Sequence, residues 1–224
     1  MDGDEQITSL RLIRTPNIGP MTFSLLSQRY GTARAALDAV PELASRAAAT
    51  AEIEAVEAAG AKLLFKGGDD YPKALERFDD APPVVSARGT TALLSSPSIA
   101  VVGARNASIN AVRLAQTLSE QLAANGYVVV SGLARGIDTA AHNGALARGT
   151  VAVIAGGIDI QYPPENADLH DAIAESGLLL AEMPPGTQFT PRHFPIRNRI
   201  IASLALGVLV IEAAQRSGSL ITAR

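Results

Sequence analysis

Val128-Val-Val-Ser-Gly-Leu-Ala-Arg-Gly-Ile-Asp-Thr-Ala-Ala-His142 is the stretch of the sequence that decides the fold. It begins with an apolar β-branched run, breaks at Ser131-Gly132, and continues from Ile137 in a pattern typical of a helix. The run predicts a buried strand, and the glycines that follow it predict a turn. A strand that leads through a glycine loop into a helix presents free helix amides to an anion. We therefore expect an anion-binding loop at Ser131–Gly136.

Strands and helices alternate along the chain from residue 99. Apolar runs predict strands at Ile99–Val102, Tyr127–Ser131, Val151–Ala155, Leu178–Ala181 and Val208–Ile211. The segments between them predict helices near 108–124, 137–148, 166–176 and 197–206. Continuous apolar strands separated by helices are typical of a parallel sheet that is covered on both faces. The predicted fold class is therefore α/β, with a Rossmann-like, mostly parallel sheet.

The first part of the chain has a different character. Residues 1–62 predict a small all-α domain, in which Asn17-Ile-Gly19 joins two helices as in helix-hairpin-helix or sterile-alpha-motif (SAM) modules. Such a hairpin can hold DNA phosphates, but the same pattern fits a plain helical interaction domain. Residues 63–97 predict a connector with short strands, so that the second domain extends over 63–224.

The composition narrows the class of protein. The 224 residues include 47% apolar residues and no cysteine, which excludes disulfides and cysteine metal sites. The N-terminus is acidic, and the longest apolar run, 200–211, is too short to span a bilayer. We expect a soluble cytoplasmic protein without membrane contact. The net charge of −3 argues against polyanion binding over the whole surface but permits a local basic patch.

Arginines are concentrated near one predicted edge of the sheet. The carboxyl ends of parallel strands meet at one edge, where ligands bind. Residues 183–224, which contain two of the loops at this edge, hold five arginines and one acidic residue. Guanidinium groups bind phosphate through paired hydrogen bonds, and Phe194 offers a ring on which a base can stack. This combination favours single-stranded nucleic acid over a free metabolite.

The predicted DNA- and phosphate-binding residues lie in the loops that follow all five strands. They are Gly103, Arg105, Ser108, Ser131, Gly132, Arg135, Gly136, Gly156, Gly157, Arg192, Phe194, Arg197, Asn198, Arg199, Ser217, Gly218 and Ser219. Arg197 and Arg199 can also be interpreted as structural cations. Their partners would then be Glu182, Glu212 or Asp138.

The histidines and carboxylates form no clear catalytic pattern. His142 follows Asp138 by four residues on one helical face, so the pair could act as a base with its orienting group. We favour the interpretation in which both residues support the loop. The three histidines lack metal-ligand spacing, and the dinucleotide motif G-x-G-x-x-G is absent. We therefore predict no catalytic residue, no metal and no cofactor.

Five segments resemble the successive motifs of the DNA-processing protein A family, also called DprA or Smf. They are Ile99–Ser108, Val129–His142, Gly156–Asn166, Phe194–Ala202 and Gly218–Ala223. The resemblance implies a Rossmann-like protein that binds single-stranded DNA without strong sequence preference. It also implies protection of incoming strands during natural transformation, help in loading the RecA recombinase, and a homodimer. Within this sequence it implies DNA contacts at Arg105 and along Phe194–Arg199, with the glycine loops Ser131–Gly136 and Ser217–Ser219 completing a phosphate pocket.

Two features depart from the family pattern. Some relatives place a lysine in the Tyr-Pro-x-x-Asn turn, where this chain has Pro164 and Glu165, and this weakens any basic contact there. Family sequences typically continue beyond the Gly-Ser-Leu-Ile-Thr-Ala motif, so we expect this sequence to be truncated at Arg224.

A nucleotide-processing enzyme is the alternative function. The fold also resembles that of phosphoribohydrolases of the lysine-decarboxylase-like group, whose Gly-Gly-x-Gly-Thr-x-x-Glu loop carries a catalytic glutamate. Aligning Gly218-Ser219 with the Gly-Thr of that loop puts Thr222 at the position of the glutamate, which argues against hydrolysis. In a third interpretation, residues 1–60 form a scaffold for protein partners and DNA binding is secondary.

Overall fold

The computed structural model describes residues 2–40 and 43–213. Its first helices are α1 (Gly3–Ile13), α2 (Pro20–Tyr30), α3 (Ala33–Leu37) and α4 (Arg46–Ala58). They are followed by β1 (Lys62–Phe65), α5 (Lys73–Glu76), β2 (Val84–Gly89), β3 (Ser98–Gly103), α6 (Ile109–Ala124), β4 (Val128–Ser131) and α7 (Ile137–Ala145). The remaining elements are β5 (Thr150–Gly157), α8 (Ala167–Ser176), β6 (Leu178–Met183), α9 (His193–Leu204) and β7 (Gly207–Ile211).

The N-terminal part is helical, as predicted. Asp2 and Glu5 form a reciprocal capping box that begins α1, an arrangement that satisfies two free helix amides. Asn17, at φ 67°, lies in the turn that ends α1, and Pro20 occupies the first turn of α2. Proline is tolerated there because the first helical amides have no partner within the helix.

The seven strands of the described residues form one sheet in the order β1-β2-β6-β5-β4-β3-β7. The five strands from β6 to β7 are parallel to their neighbours, and β1 and β2 join antiparallel at one edge. The prediction of a Rossmann-like, mostly parallel α/β sheet is therefore confirmed. The two short strands predicted between residues 63 and 97 extend this sheet, with Ser86 of β2 opposite Ala181 of β6.

Helices cover both faces of the sheet. α6, α7 and α8 pack on one face, against strand residues such as Val101, Val129 and Leu179. α9 packs on the other face, where Ile200 joins the cluster that contains Val102. No helix among the described residues is long and apolar enough to cross a membrane.

The strand order reverses between β3 and β7. The chain passes from β3 through β4 and β5 to β6, and α9 then returns it to β7 on the other side of β3. Loops that diverge to opposite faces at such a point leave a crevice, in which open α/β sheets bind their ligands. The loop that carries Arg105 begins there.

The helical part and the sheet share a hydrophobic cluster. Leu10 of α1 and Ala49 of α4 pack with Phe65 of β1 and Val84 of β2, and all four residues are buried. The antiparallel edge of the sheet is thus covered by the N-terminal helices.

Candidate nucleic-acid interface

The loops that follow β3 and β4 are in backbone contact. Gly136 has φ 75°, and a Cβ atom at this position would lie 2.6 Å from the carbonyl oxygen of Arg105, so only glycine fits. The Ile137 amide donates to the Ala104 carbonyl at 3.2 Å, and the Thr139 amide donates to the Ala134 carbonyl at 3.1 Å. These two amides at the start of α7 are therefore occupied within the protein, although the strand–loop–helix pattern predicts that they face an anion.

Asp138 supports the β4 loop from below. Its side chain is buried and accepts a hydrogen bond from the Ala134 amide at 3.3 Å. Burial raises the pKa of Asp138, and the nearby positive charge of Arg197 opposes this rise. The loop-supporting role that the sequence suggests for Asp138 stays a prediction, which the Ala134 contact makes testable.

Arg197 lies beneath the same loop and not on the surface. It is 6% exposed, and its Nη1 donates to the Val153 carbonyl at 3.1 Å. A Cβ atom on Gly132 would collide with the Arg197 guanidinium, so the glycine at 132 leaves the space that this side chain fills. The guanidinium is therefore inside the protein, where the charges of Arg197 and Asp138 interact. Of the two interpretations above, this burial favours a structural cation.

Arg199 is also bound within the protein. Its Nη2 lies 2.5 Å from Oε1 of Glu182, and its Nη1 donates to the Asp80 carbonyl at 2.5 Å. Burial raises the pKa of Glu182, and the charge of Arg199 opposes this rise. Asn198 is half-buried on the same helix.

Two further predicted donors are held by glutamates. Arg135 forms an ion pair with Glu165. The Ser108 amide and hydroxyl donate to the Glu212 carboxylate at 2.9 and 2.5 Å, and these bonds lower the pKa of Glu212. Ser108 also caps α6 through the Ala111 amide.

The β5 and β6 loops are tied together at the same edge. The Gly157 amide donates to the Thr187 carbonyl at 2.9 Å, and Asp159 accepts from the Gly186 amide at 2.9 Å. A Cβ atom at Gly157 would lie 2.6 Å from the Pro184 carbonyl oxygen. Gly156 and Gly157 therefore permit close packing of the loops.

An exposed arginine and three aromatic rings form the open part of this edge. The guanidinium of Arg105 lies 4.6 Å from the centroid of the Phe194 ring, a cation–π arrangement. Tyr162 stacks on Phe189 with centroids 3.5 Å apart, and each of these two rings lies 6.4 Å from Phe194. Gly132 and the three rings line a narrow slot of about 20 Å³. We call Arg105, Tyr162, Phe189 and Phe194 the aromatic rim.

The sequence prediction missed Tyr162 and Phe189 as members of this rim. The chain has only four tyrosines and five phenylalanines, and three of these nine rings lie between the end of β5 and the first turn of α9. That local enrichment is a signal in the sequence. Their convergence depends on the packing of two separate loops, which the local pattern does not specify.

The other predicted positions are distributed as follows. Gly103 ends β3 with its backbone against the Ile211 carbonyl, and the Ser131 hydroxyl donates to the Val101 carbonyl at 2.6 Å. Arg192 is exposed before α9 and has no ion-pair partner among the residues that the structure describes. Ser217, Gly218 and Ser219 lie outside those residues, as does Thr222.

His142 does not pair with Asp138. Its side chain is fully buried, and its Nδ1 lies 2.9 Å from Oγ1 of Thr150. Burial and, to a smaller extent, the charge of Arg197 lower the pKa of His142 to about 3. A histidine in this position is neutral at physiological pH and supports the helix. Within residues 2–40 and 43–213, no group of three histidine, aspartate or glutamate side chains is arranged to hold a metal.

Comparison with known proteins finds family matches along nearly the whole chain. Residues 62–224 match the family model for DNA recombination-mediator protein A, and residues 3–63 match the model for the DprA-like N-terminal HHH domain. DNA processing protein DprA of Streptococcus pneumoniae is 48% identical over 156 residues, which are 69% of this chain and 55% of the relative. The Bacillus subtilis protein of the same name is 44% identical over 68% of this chain and 52% of the relative. The chain thus spans about half the length of these curated relatives.

Two solved structures extend the match to three dimensions. That of DprA from S. pneumoniae has a TM-score of 0.79 and 34% identity, and covers 99% of this chain and 82% of the other. A structure described as the single-stranded DNA binding mode of DprA from Helicobacter pylori has a TM-score of 0.67 and 31% identity, over 72% of this chain and 74% of the other. With its sheet, its helical N-terminal part and both family matches in agreement, this chain belongs to the DNA recombination-mediator protein A family, the DprA/Smf family.

Proposed function

We propose that this protein binds single-stranded DNA across the aromatic rim, without strong sequence preference. The observation that carries the proposal is the exposed guanidinium of Arg105, 4.6 Å above the ring of Phe194 at the carboxyl edge of the parallel strands. An arginine next to an aromatic face can hold a phosphate while the neighbouring base stacks. The H. pylori relative, described as a single-stranded DNA binder, supports the proposal.

The chemistry of the rim accounts for the lack of sequence preference. Stacking tolerates every base because each base has a flat face, and phosphate contacts carry no sequence information. Because Arg197 is buried and Arg199 is bound internally, the proposal assigns the phosphate contacts to Arg105 and Arg192, two exposed cations in the described part of the chain. The strand would therefore be held by few charges and several rings.

The test is fluorescence anisotropy with a labelled oligothymidylate at several NaCl concentrations. Arg105→Ala should weaken binding about tenfold at low salt and reduce the slope of log K against log [salt] by about 0.7, the value for one lost phosphate contact on a single strand. Arg148→Ala is the matched control, because Arg148 is exposed beyond α7, at the opposite edge of the sheet. Absence of binding by the wild-type protein at low salt would refute the proposal.

A second pair of variants separates stacking from charge. Phe194→Leu should weaken binding about tenfold with an unchanged salt slope, because base–aromatic stacking contributes about 1–3 kcal/mol per base. Tyr127→Leu is its control, since Tyr127 is partly exposed just before β4, at the far end of the same sheet. Equal loss of affinity in both variants would remove the rim from the binding surface.

The wider role that we propose is protection of incoming strands during natural transformation and assistance in loading RecA, by a homodimer that has no catalytic activity. The family membership supports this role. Nuclease protection tests the first part, RecA filament assembly on DNA coated with single-strand-binding protein tests the second, and sedimentation tests the homodimer. Release of free base from AMP would contradict the non-catalytic part and favour the phosphoribohydrolase alternative.

A further inference from the structure

The ion pair between Arg135 and Glu165 lies on the carboxyl edge of the sheet, beside the loop that follows β4. Both side chains are solvent-exposed, at 56% and 57%. The pair therefore contributes little to the stability of the fold, because an exposed ion pair typically changes the folding equilibrium constant by less than about tenfold. A carboxylate on an exposed arginine of a DNA-binding edge occupies the donors that a phosphate would use.

Backbone packing holds the two partners of this pair close together. Glu165 lies in a short 3-10 turn, Pro164–Asn166. The next residue, Asn166, is buried and donates to the Leu133 carbonyl at 3.0 Å and to Thr139 Oγ1 at 2.9 Å. The turn is thus fastened to the segment that leads into Arg135. Because the backbones of both residues are held in place, little conformational entropy is lost when the Glu165 carboxylate pairs with the Arg135 guanidinium.

A groove of about 330 Å³ opens beside this pair, between α6 and α7. Its lining includes Arg135 and Glu165 themselves, together with the polar side chains of Gln116, Thr139 and Asn143. The volume of the groove is sufficient for one nucleotide next to the Arg135 guanidinium, and the polar side chains of its lining can form hydrogen bonds with it. Gly136 also lines this groove, and its backbone packs against the Arg105 carbonyl. The groove therefore adjoins the aromatic rim, and a strand on the rim can reach Arg135.

We propose that Glu165 is an intramolecular competitor of DNA phosphate for Arg135. The inference rests on the proposed binding of single-stranded DNA. In the free protein the Glu165 carboxylate is paired with the Arg135 guanidinium. When a DNA strand reaches the groove, one of its phosphates must displace this carboxylate. Glu165 thereby limits the affinity of the protein and the number of phosphate contacts that respond to salt.

The test is a double-mutant cycle measured with the same labelled oligothymidylate. Glu165→Gln retains the size of the side chain and removes its charge, so binding should tighten about three- to tenfold at low salt. The slope of log K against log [salt] should steepen by about 0.7, because one further phosphate contact is gained. Made on an Arg135→Gln background, the same substitution should change neither quantity. Glu175→Gln, at the distant C-terminal end of α8 where Glu175 is exposed, controls for the net charge.

The outcomes distinguish this inference from the proposed function. If the wild-type protein binds but Glu165→Gln matches Glu175→Gln, the competition is refuted while the DNA-binding proposal stands. A gain in affinity that persists on the Arg135→Gln background shows a general charge effect and also refutes it. If neither the wild type nor Glu165→Gln binds at low salt, the proposed function itself fails. Unchanged circular dichroism and melting temperature verify that the variants are folded.

Discussion

His142 provides a quantitative prediction about pH and stability. The Thr150 hydroxyl donates its single hydrogen to the Val129 carbonyl at 2.6 Å, so its oxygen must accept from Nδ1–H of His142 at 2.9 Å. The proton-accepting nitrogen is then Nε2, which is buried and has no hydrogen-bond partner within residues 2–40 and 43–213. Protonation would place an uncompensated charge in the interior near Arg197, and the pKa is accordingly lowered from 6.5 to about 3.

The sign of the effect follows from the number of protons bound in each state. Between pH 6.5 and about 3, the unfolded chain carries a proton on His142 that the folded protein lacks. Stability therefore falls as the pH falls through this window, by up to about 1.4 kcal/mol per pH unit. Between pH 7 and pH 5 the loss that this group causes is about 2 kcal/mol.

Urea denaturation of the wild type and of His142→Asn at pH 7, 6 and 5 measures this loss. The asparagine amide can replace the Nδ1 donor to Thr150, but it does not titrate. The variant should be less stable at pH 7, since it leaves a cavity, and its free energy of unfolding should decline about 2 kcal/mol less between pH 7 and 5. All other ionisable side chains are the same in both proteins, so their contributions cancel in the comparison. Parallel pH profiles of the two proteins would refute the assignment of a buried, neutral His142.

Three further substitutions test the packing under the carboxyl edge of the sheet. Gly132→Ala should destabilise the protein by about 1–3 kcal/mol in urea denaturation, because its Cβ would displace the Arg197 guanidinium. The control is Gly207→Ala, where no atom of the described residues lies within 4 Å of the added Cβ. Equal stabilities of the two variants would contradict the collision. Asn166→Asp should lower the free energy of unfolding by about 1–3 kcal/mol, since a carboxylate cannot donate a hydrogen bond to the Leu133 carbonyl as the amide does. A urea midpoint equal to that of the wild type would show that this bond is dispensable. Ser108→Ala should cost about 1 kcal/mol through loss of the α6 cap, visible as faster amide exchange in the first turn of α6, and unchanged exchange would rule out the cap.

The sheet and its helices are predictable because their signals are local. β-branched runs such as Val128–Val130 specify buried strands, and the motifs between them specify the connecting helices. The pairing of β2 with β6 is not predictable in this way, because the sequence of Val84–Gly89 does not specify which strand it pairs with. α9 begins at His193, four residues before the predicted 197, because Pro195 fits within a first helical turn.

The candidate site was predicted less completely, and α9 shows why. His193, Arg197, Ile200, Ile201 and Leu204 form one buried stripe of this helix. Their spacing is that of a core-facing helical surface, which places Arg197 inside in spite of its charge. Residue type alone suggested phosphate contact, whereas periodicity indicates burial. The choice of Arg199 between phosphate and Glu182 could not be made from sequence, because the distance between the two side chains depends on how α9 crosses the sheet.

The cluster of Leu10, Ala49, Phe65 and Val84 has a consequence for dissecting this protein. The two family matches meet near residue 62, yet the apolar contacts pass without interruption across that point. A chain cut there would carry bare hydrophobic side chains on an outer strand, and such a strand recruits other molecules. Self-association of the shortened chain would then result from the newly exposed hydrophobic strand and not from the loss of a partner-binding site. Substitution of solvent-facing residues on α2 or α4 leaves this hydrophobic cluster intact. Such variants are therefore a better test of what the helical part contributes to binding.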